Sequence, residues 1–224
     1  MDKDLAFKLA QDLKIDIEQI IREWWEMIIL RDLFSSSIGS YLCLKGGTAL
    51  RLAYGSPRFS EDLDFSVIKK FSFKLFEKEI SIIEKRYTEL GITDIADNSY
   101  TYIAQYRIKE FWRPLALSIK IEISKRTVDK KAKPYELVNL KSRVNNVEAL
   151  GNVMRIESIY KEKLQALETR NEARDLFDIW YLSGVLNKPF SPVRNKFKKR
   201  ILVRDLRKYL PKNYWKVIDI LGGR

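Results

Sequence analysis

Two stretches of the chain decide its fold class: LKGGTAL at residues 44–50 and RFSEDLDF at residues 58–65. In the second stretch, Asp62 and Asp64 stand two residues apart in a short apolar segment, a spacing that places both carboxylates on one face of a β-sheet. In the first stretch two glycines follow a lysine, and backbone N–H groups without a neighbouring Cβ approach phosphates closely. Together the two stretches predict a site for a metal-bound nucleoside triphosphate.

Composition restricts the chemistry of such a site. The 224 residues include no histidine, so imidazole is excluded as a base or metal ligand, and catalysis must depend on carboxylates, lysines and a metal ion. The single cysteine, Cys43, lies in an apolar run, where we interpret it as a small buried side chain. The net charge of +12 favours a polyanionic partner such as RNA, DNA or a nucleotide, and an ordinary lysine-rich surface is the alternative.

The N-terminus lacks the basic start and apolar middle of a signal peptide. No window approaches the roughly 18 uncharged apolar residues that a membrane span requires. We therefore expect a cytoplasmic protein that has no membrane partner.

Hydrophobic periodicity predicts a mixed α/β (α+β) fold. The expected elements, in chain order, are a helix over about 14–34, a strand at 42–45, a helix-like run at 49–54, a strand at 63–67, a helix over 73–90 capped by Gly91, and extended segments near 99–107 and 115–124. From about residue 155 the pattern is helical, with breaks near Asn171, at 187–189 and before Pro211.

The motifs resemble the nucleotidyltransferase superfamily typified by DNA polymerase β, and within it the AbiEii/AbiGii toxin family of toxin–antitoxin and phage-defence systems. The resemblance rests on LKGGTAL, on R-x-S-x-D-x-D-F from Arg58 to Phe65, and on K-L-x-A-L-x-x-R-x-x-x-R-D-x-x-D from Lys163 to Asp178. It implies an N-terminal helix and a nucleotidyltransferase core with a small mixed β-sheet in residues 1–126. Residues 127–224 would form a mainly helical C-terminal region.

The resemblance also implies a metal site. Nucleotidyl transfer displaces pyrophosphate in line, and divalent metals stabilise the entering and leaving oxygens. Asp62 and Asp64 would bind Mg²⁺, with Mn²⁺ as the alternative ion, and Glu122 is the best candidate for the third acid, which would also accept the proton of the nucleophile. An ordinary ion pair of Glu122 with Lys120 or Lys125 is the competing interpretation.

The remaining candidates are residues expected to contact the nucleotide: Lys45, Gly46, Gly47, Thr48, Arg58, Ser60, Lys163, Arg174 and Asp175. Lys163 is in addition a candidate catalytic residue, expected to be exposed. Thr48 would cap the following helix, bind a phosphate, or do both. Arg58 either anchors its loop to a carboxylate or contacts the triphosphate, and the two glycines alternatively form only a tight turn.

Three cations in the last motif would share one stripe if a single helix ran through them: Lys163, Arg170 and Arg174. A helix that starts at Asn171 would break this alignment. The alternative without function is an ion pair between Arg174 and Asp178 among solvated lysines.

The leading hypothesis is a magnesium-dependent nucleotidyltransferase, the toxin of a type IV-like toxin–antitoxin or phage-defence system. It would transfer a nucleotide from an NTP to an acceptor such as the 3′ end of tRNA, and a cognate antitoxin protein would be its partner. The basic runs at 196–200 and 204–208 suit an RNA acceptor. Two alternatives stay open: nucleotidylation of a small molecule, as in antibiotic-modifying relatives, and a non-catalytic nucleotide- or RNA-binding module.

Overall fold

Helices and strands alternate along the chain in a computed structural model that describes residues 1–129, 134–170, 172–190 and 197–222. The helices are α1 Lys3–Leu13, α2 Ile17–Phe34, α3 Gly46–Leu52, α4 Phe73–Arg86, α5 Ile156–Thr169, α6 Ala173–Val185, α7 Lys199–Leu206 and α8 Val217–Leu221. The strands are β1 Leu42–Lys45, β2 Asp62–Val67, β3 Leu90–Asp97, β4 Thr101–Ile108, β5 Leu117–Thr127, β6 Tyr135–Leu140 and β7 Ala149–Met154. Within the described ranges no helix is both long and apolar enough to cross a bilayer.

All of these strands form one mixed sheet in the order β3-β4-β5-β2-β1-β7-β6. The central strand, β2, is antiparallel to β1 and parallel to β5. Leu63 and Phe65 of β2 are buried, and Phe34 of α2 packs edge-on against Phe65 with ring centroids 6.0 Å apart. Because side chains alternate along a strand, Asp62 and Asp64 lie on the opposite face of the sheet from α2. The predicted mixed α/β fold is confirmed.

Two helices, rather than the single one predicted over 14–34, form the N-terminal part. Helix α1 ends at Leu13, and the next residue, Lys14, has a left-handed φ of 54°. Asp16 then caps α2, since its carboxylate accepts a hydrogen bond from the Glu18 backbone N–H at 2.8 Å. Asp2 caps α1 in the same way. The prediction missed α1 because it did not recognise these two aspartates as helix starts.

The helix predicted over 73–90 is also shorter in the structure. Tyr87 follows α4 in an extended conformation, its hydroxyl donates to Asp32 Oδ2 at 2.9 Å, and its ring meets Trp25 edge-on at 5.6 Å. These contacts with α2 favour the extended conformation over another helical turn. Gly91 lies within β3 and does not cap a helix, so that prediction was wrong.

The sheet continues past residue 126, where the sequence-based division placed the end of the core. Strand β7 pairs in parallel with β1, joining Asn152 to Cys43, and β6 pairs with β7 as the edge strand. Neither strand was predicted, because periodicity within a short window carries no information on such distant pairing. The division of the chain into two domains at residue 126 stays a prediction.

Candidate active site

Charged side chains line one face of three neighbouring strands, β1, β2 and β5. The strand register pairs Lys45 with Asp64 and Asp64 with Glu122, and the next row pairs Asp62 with Lys120. Directly paired residues point to the same side of a sheet. The structure therefore brings the three predicted carboxylates together, and two lysines stand beside them.

The carboxylates of Asp62 and Asp64 have neither an ion pair nor a hydrogen bond with any residue in the described part of the chain. Burial raises the pKa of both groups, and at Asp64 the negative charge of Asp62 raises it further. Arg174 and Lys120 oppose the rise at Asp62 without cancelling it. Two half-buried carboxylates that repel each other form a site which a divalent cation would stabilise, and their hard oxygens suit Mg²⁺.

Glu122 differs from the two aspartates because it has a partner. Its Oε2 atom lies 2.5 Å from Lys120 Nζ, with 40% of the lysine side chain and 34% of the glutamate side chain exposed. Lys125 pairs with Asp97 instead. Among the residues that the structure describes, no group of three or more His, Cys, Asp or Glu side chains is placed to hold a metal ion. The role of Glu122 as a third metal ligand stays a prediction.

The two glycines begin helix α3, earlier than the expected start of the helical run at residue 49. Gly46 has a φ of 72°, and a Cβ there would lie 2.6 Å from Asp64 Oδ2. A Cβ on Gly47 would lie 2.4 Å from Arg58 Nη2 and 2.8 Å from Ser60 Oγ. Both glycines therefore let neighbouring site residues approach the backbone of the turn. Their contact with a phosphate stays a prediction.

Thr48 ties α3 to the strand that carries the aspartates. Its buried hydroxyl donates to the Asp62 carbonyl oxygen at 2.6 Å. The N-cap of α3 is Lys45, and no side chain makes a capping hydrogen bond there. Thr48 is therefore not the helix cap that the sequence suggested, and it fixes the position of Asp62 through the backbone.

A cluster of buried ion pairs next to the aspartates joins the loop before β2 to helices α5 and α6. Asp178 accepts from Arg58 Nε at 2.7 Å and lies 2.7 Å from Lys163 Nζ. Asp175 lies 2.8 Å from Lys163 Nζ and accepts from Arg170 Nε at 2.8 Å. We call these five residues the buried ion cluster; four are buried, and the Arg170 side chain is 52% exposed. Arg58 thus anchors its loop to a carboxylate, which was one of the two predicted alternatives.

The pKa values of the two aspartates in the buried ion cluster shift in the opposite direction to those of Asp62 and Asp64. Burial alone would raise the pKa of Asp175 and Asp178, but the hydrogen bonds and charges of their cationic partners lower it below the usual value. Lys163 is only 7% exposed, so the expectation of an exposed lysine was wrong. Both carboxylates are therefore held ionised by the protein itself.

The predicted cationic stripe does not form, because α5 ends at Thr169 and α6 begins at Ala173 after Glu172. The helix break that the sequence offered as an alternative is confirmed, although Asn171 itself lies outside the described residues. Arg174 pairs with Glu172 Oε2 at 2.8 Å rather than with Asp178.

A cleft of about 300 Å³ opens beside Asp64, between the sheet face and helix α5. Its lining includes Lys45, Gly46, Glu122 and Lys163, and neither Asp62 nor Arg174 lines it. Lys45 Nζ lies 3.4 Å from the exposed Glu162 Oε2. The volume lies within the range of small-ligand sites, roughly 300–1,000 Å³.

Asp178 was predicted only as the end of a motif and as a partner of Arg174, and Glu162 and Tyr209 were not predicted as site residues. Asp178 carried a detectable signal, since it follows Asp175 by three residues in a helical pattern and so shares its face. Glu162 and Tyr209 carried none, because only the tertiary structure brings them near the aspartates.

A family described as Nucleotidyl transferase AbiEii toxin, Type IV TA system, matches residues 28–216. The chain belongs to the AbiEii nucleotidyltransferase toxin family. The resemblance inferred from the motifs is thereby confirmed, and so is the enzyme class. No curated protein matches the chain significantly in sequence.

Solved structures agree with the AbiEii fold. The nucleotidyltransferase toxin MenT4 from Mycobacterium tuberculosis H37Rv superimposes with a TM-score of 0.67 at 16% identity, covering 99% of this chain and 87% of that one. JHP933 from Helicobacter pylori gives a TM-score of 0.61 at 24% identity, covering 93% of this chain and 90% of that one. At these identities the likeness shows a shared fold.

Proposed function

We propose that this AbiEii-family protein is a magnesium-dependent enzyme that transfers a nucleotide from an NTP to an RNA acceptor such as the 3′ end of tRNA. The observation that carries the proposal is the pair of carboxylates, Asp62 and Asp64, which lack partners among the described residues and of which Asp64 lines a cleft of about 300 Å³. A nucleotidyltransferase of a type IV toxin–antitoxin family has an NTP as substrate and an antitoxin as partner.

Asp62 and Asp64 would hold Mg²⁺, or Mn²⁺ as the alternative, and Glu122 would add the third carboxylate. The donor set fits such an ion, since it consists of hard oxygens and burial raises the pKa of both aspartates, with the charge of Asp62 raising that of Asp64 further. When bound, the ion would supply the positive charge that stabilises the oxygens entering and leaving phosphorus.

The transfer forms one bond and breaks one bond at the α-phosphorus. A hydroxyl oxygen of the acceptor bonds to phosphorus, the bond to the oxygen that bridges to the β-phosphorus breaks, and pyrophosphate leaves. Glu122 would take the hydroxyl proton. Lys45 and Lys163 line the cleft and would contact the triphosphate. Lys45 would exchange its present partner, Glu162, for a phosphate, and this requires only side-chain movement because the ion pair is exposed.

An RNA acceptor is favoured over a small cationic molecule by the net charge of +12. NTPs and tRNA are both cytoplasmic, which agrees with the expected location of the protein.

The proposal is tested with NTPs labelled at the α-phosphate, incubated with the protein, Mg²⁺ and bulk tRNA. We expect label from at least one NTP to enter the tRNA, and a γ-labelled sample of the same NTP to release its label as pyrophosphate. The double variant D62N/D64N should transfer no label while keeping its fold by circular dichroism. Transfer that survives in the double variant would contradict the proposal.

A further inference from the structure

A second group of cations surrounds Asp62 outside the cleft. The charges of Arg174 and Lys120 act on Asp62, and Lys208 Nζ lies 3.6 Å from Oε2 of Glu61, the preceding residue. None of the three cations lines the cleft beside Asp64. Cationic side chains thus lie on both sides of the aspartate pair, Lys45 and Lys163 beside Asp64 and these three beside Asp62.

Tyr209 organises this second region. The Arg174 guanidinium lies 5.5 Å from the centre of the Tyr209 ring, and Lys208 Nζ lies 4.4 Å from it. The tyrosine hydroxyl donates to Glu61 Oε2 at 2.5 Å, and its carbonyl oxygen accepts from the Phe59 N–H at 2.9 Å. Since Tyr209 is buried, it fixes the cations to the loop that leads directly into Asp62.

The cations of this region remain open to another anion. The exposed fraction is 55% for the Lys208 side chain, 40% for Lys120 and 31% for Arg174. Each pairs with a single partly exposed glutamate, and such pairs contribute little and exchange readily. In α7, Lys199 and Arg204 also form exposed pairs, with Asp219 and Asp205, so the cations around Tyr209 differ from them in their position beside Asp62.

We infer that Lys120, Arg174 and Lys208 form an acceptor surface, which binds the phosphodiester backbone of a single-stranded RNA end. The terminal hydroxyl of that RNA would meet the NTP at the aspartate pair, with the NTP on the Asp64 side and the RNA on the Asp62 side. The inference rests on the proposed function and deepens it. It assigns Arg174 to the acceptor rather than to the triphosphate, and it places the main RNA contacts next to the aspartates instead of along α7.

The test compares the double variant R174Q/K208Q with wild type in two binding assays. Bulk tRNA is titrated without NTP at several salt concentrations, and Mg²⁺ with NTP is titrated without RNA. We expect roughly tenfold weaker tRNA binding at about 0.1 M salt, and a salt slope lower by about 1.4, which is about 0.7 for each lost phosphate contact on a single strand. The affinity for NTP should stay within about twofold of wild type, because neither residue lines the cleft.

The matched control is the double variant K199Q/R204Q, which removes the same charge from α7. We expect its salt slope for tRNA to equal that of wild type, and thermal melting checks that both double variants are folded. An unchanged salt slope for R174Q/K208Q would overturn this inference, and so would a loss of NTP affinity without a loss of tRNA binding. Either result would leave the proposed function standing. Wild-type protein that binds Mg²⁺ and NTP but no tRNA would overturn the RNA acceptor as well.

Discussion

The buried ion cluster and the aspartate pair use the same kind of side chain in opposite ways. Asp175 and Asp178 each contact two cations, and these partners lower their pKa despite burial. Asp62 and Asp64 lack such partners in the described chain, and burial raises their pKa. The difference teaches that the first group of carboxylates is satisfied within the protein and joins the loop to the helices, whereas the second is not, as the proposed metal site requires.

The largest effect should follow from the substitution of Asp64 by Asn. The amide keeps the shape of the side chain but loses the charge that would hold a metal, so we expect label transfer to fall at least about 100-fold. The same substitution should raise the thermal midpoint at pH 7, because the charged carboxylate is unfavourable in the fold. Lower activity together with a lower midpoint would mean that Asp64 is a structural residue.

The substitution of Asp178 by Asn should have the largest effect on stability. It leaves Arg58 and Lys163 without their shared charge, and breaking a buried ion pair from one side costs about 3–5 kcal/mol. Urea unfolding measures the loss. The matched control is Lys141→Gln, which breaks an exposed pair with Glu148 and should leave the unfolding free energy unchanged. Equal effects of the two substitutions would contradict a stabilising role of the buried ion cluster.

The two regions should also respond oppositely to pH. The pKa of Asp64 is raised on folding, so its destabilising effect develops as the pH rises above the unfolded value of about 3.9 and is complete above the folded pKa. The pKa of Asp178 is lowered, so its stabilising contribution is present above about 3.9 and is lost as the pH falls towards the folded pKa. Unfolding curves of D64N from pH 7 to pH 3 should therefore show a gain in stability that disappears in acid. A gain that persists at pH 3 would contradict this assignment.

The smallest effect is expected from Thr48→Val. The substitution removes the hydrogen bond to the Asp62 carbonyl oxygen and should lower the unfolding free energy by about 1 kcal/mol. Urea unfolding and NTP titration are measured on the same samples. Unchanged stability with weaker NTP binding would instead support the predicted contact of Thr48 with a phosphate.

The features of the two regions that depend on local sequence patterns were predictable from the sequence. The alternation in β2 predicted that Asp62 and Asp64 share a face, and the strand register bears this out. The burial of Lys163 was not predictable, because a lysine on a polar helix pattern gives no sign of the two aspartates that surround it. The same holds for Tyr209, which reaches the aspartate loop from the far end of the chain.

Mn²⁺ binding, followed by electron paramagnetic resonance, tests the central claim most directly. The account predicts a saturable site in the wild-type protein that is lost in D62N/D64N and kept in Asp97→Asn, where the replaced surface aspartate pairs with Lys125. It also predicts that Mn²⁺ raises the thermal midpoint of the wild type but not that of the double variant. Equal Mn²⁺ affinity in the wild type and D62N/D64N would contradict the claim that the unpartnered aspartates form the metal site.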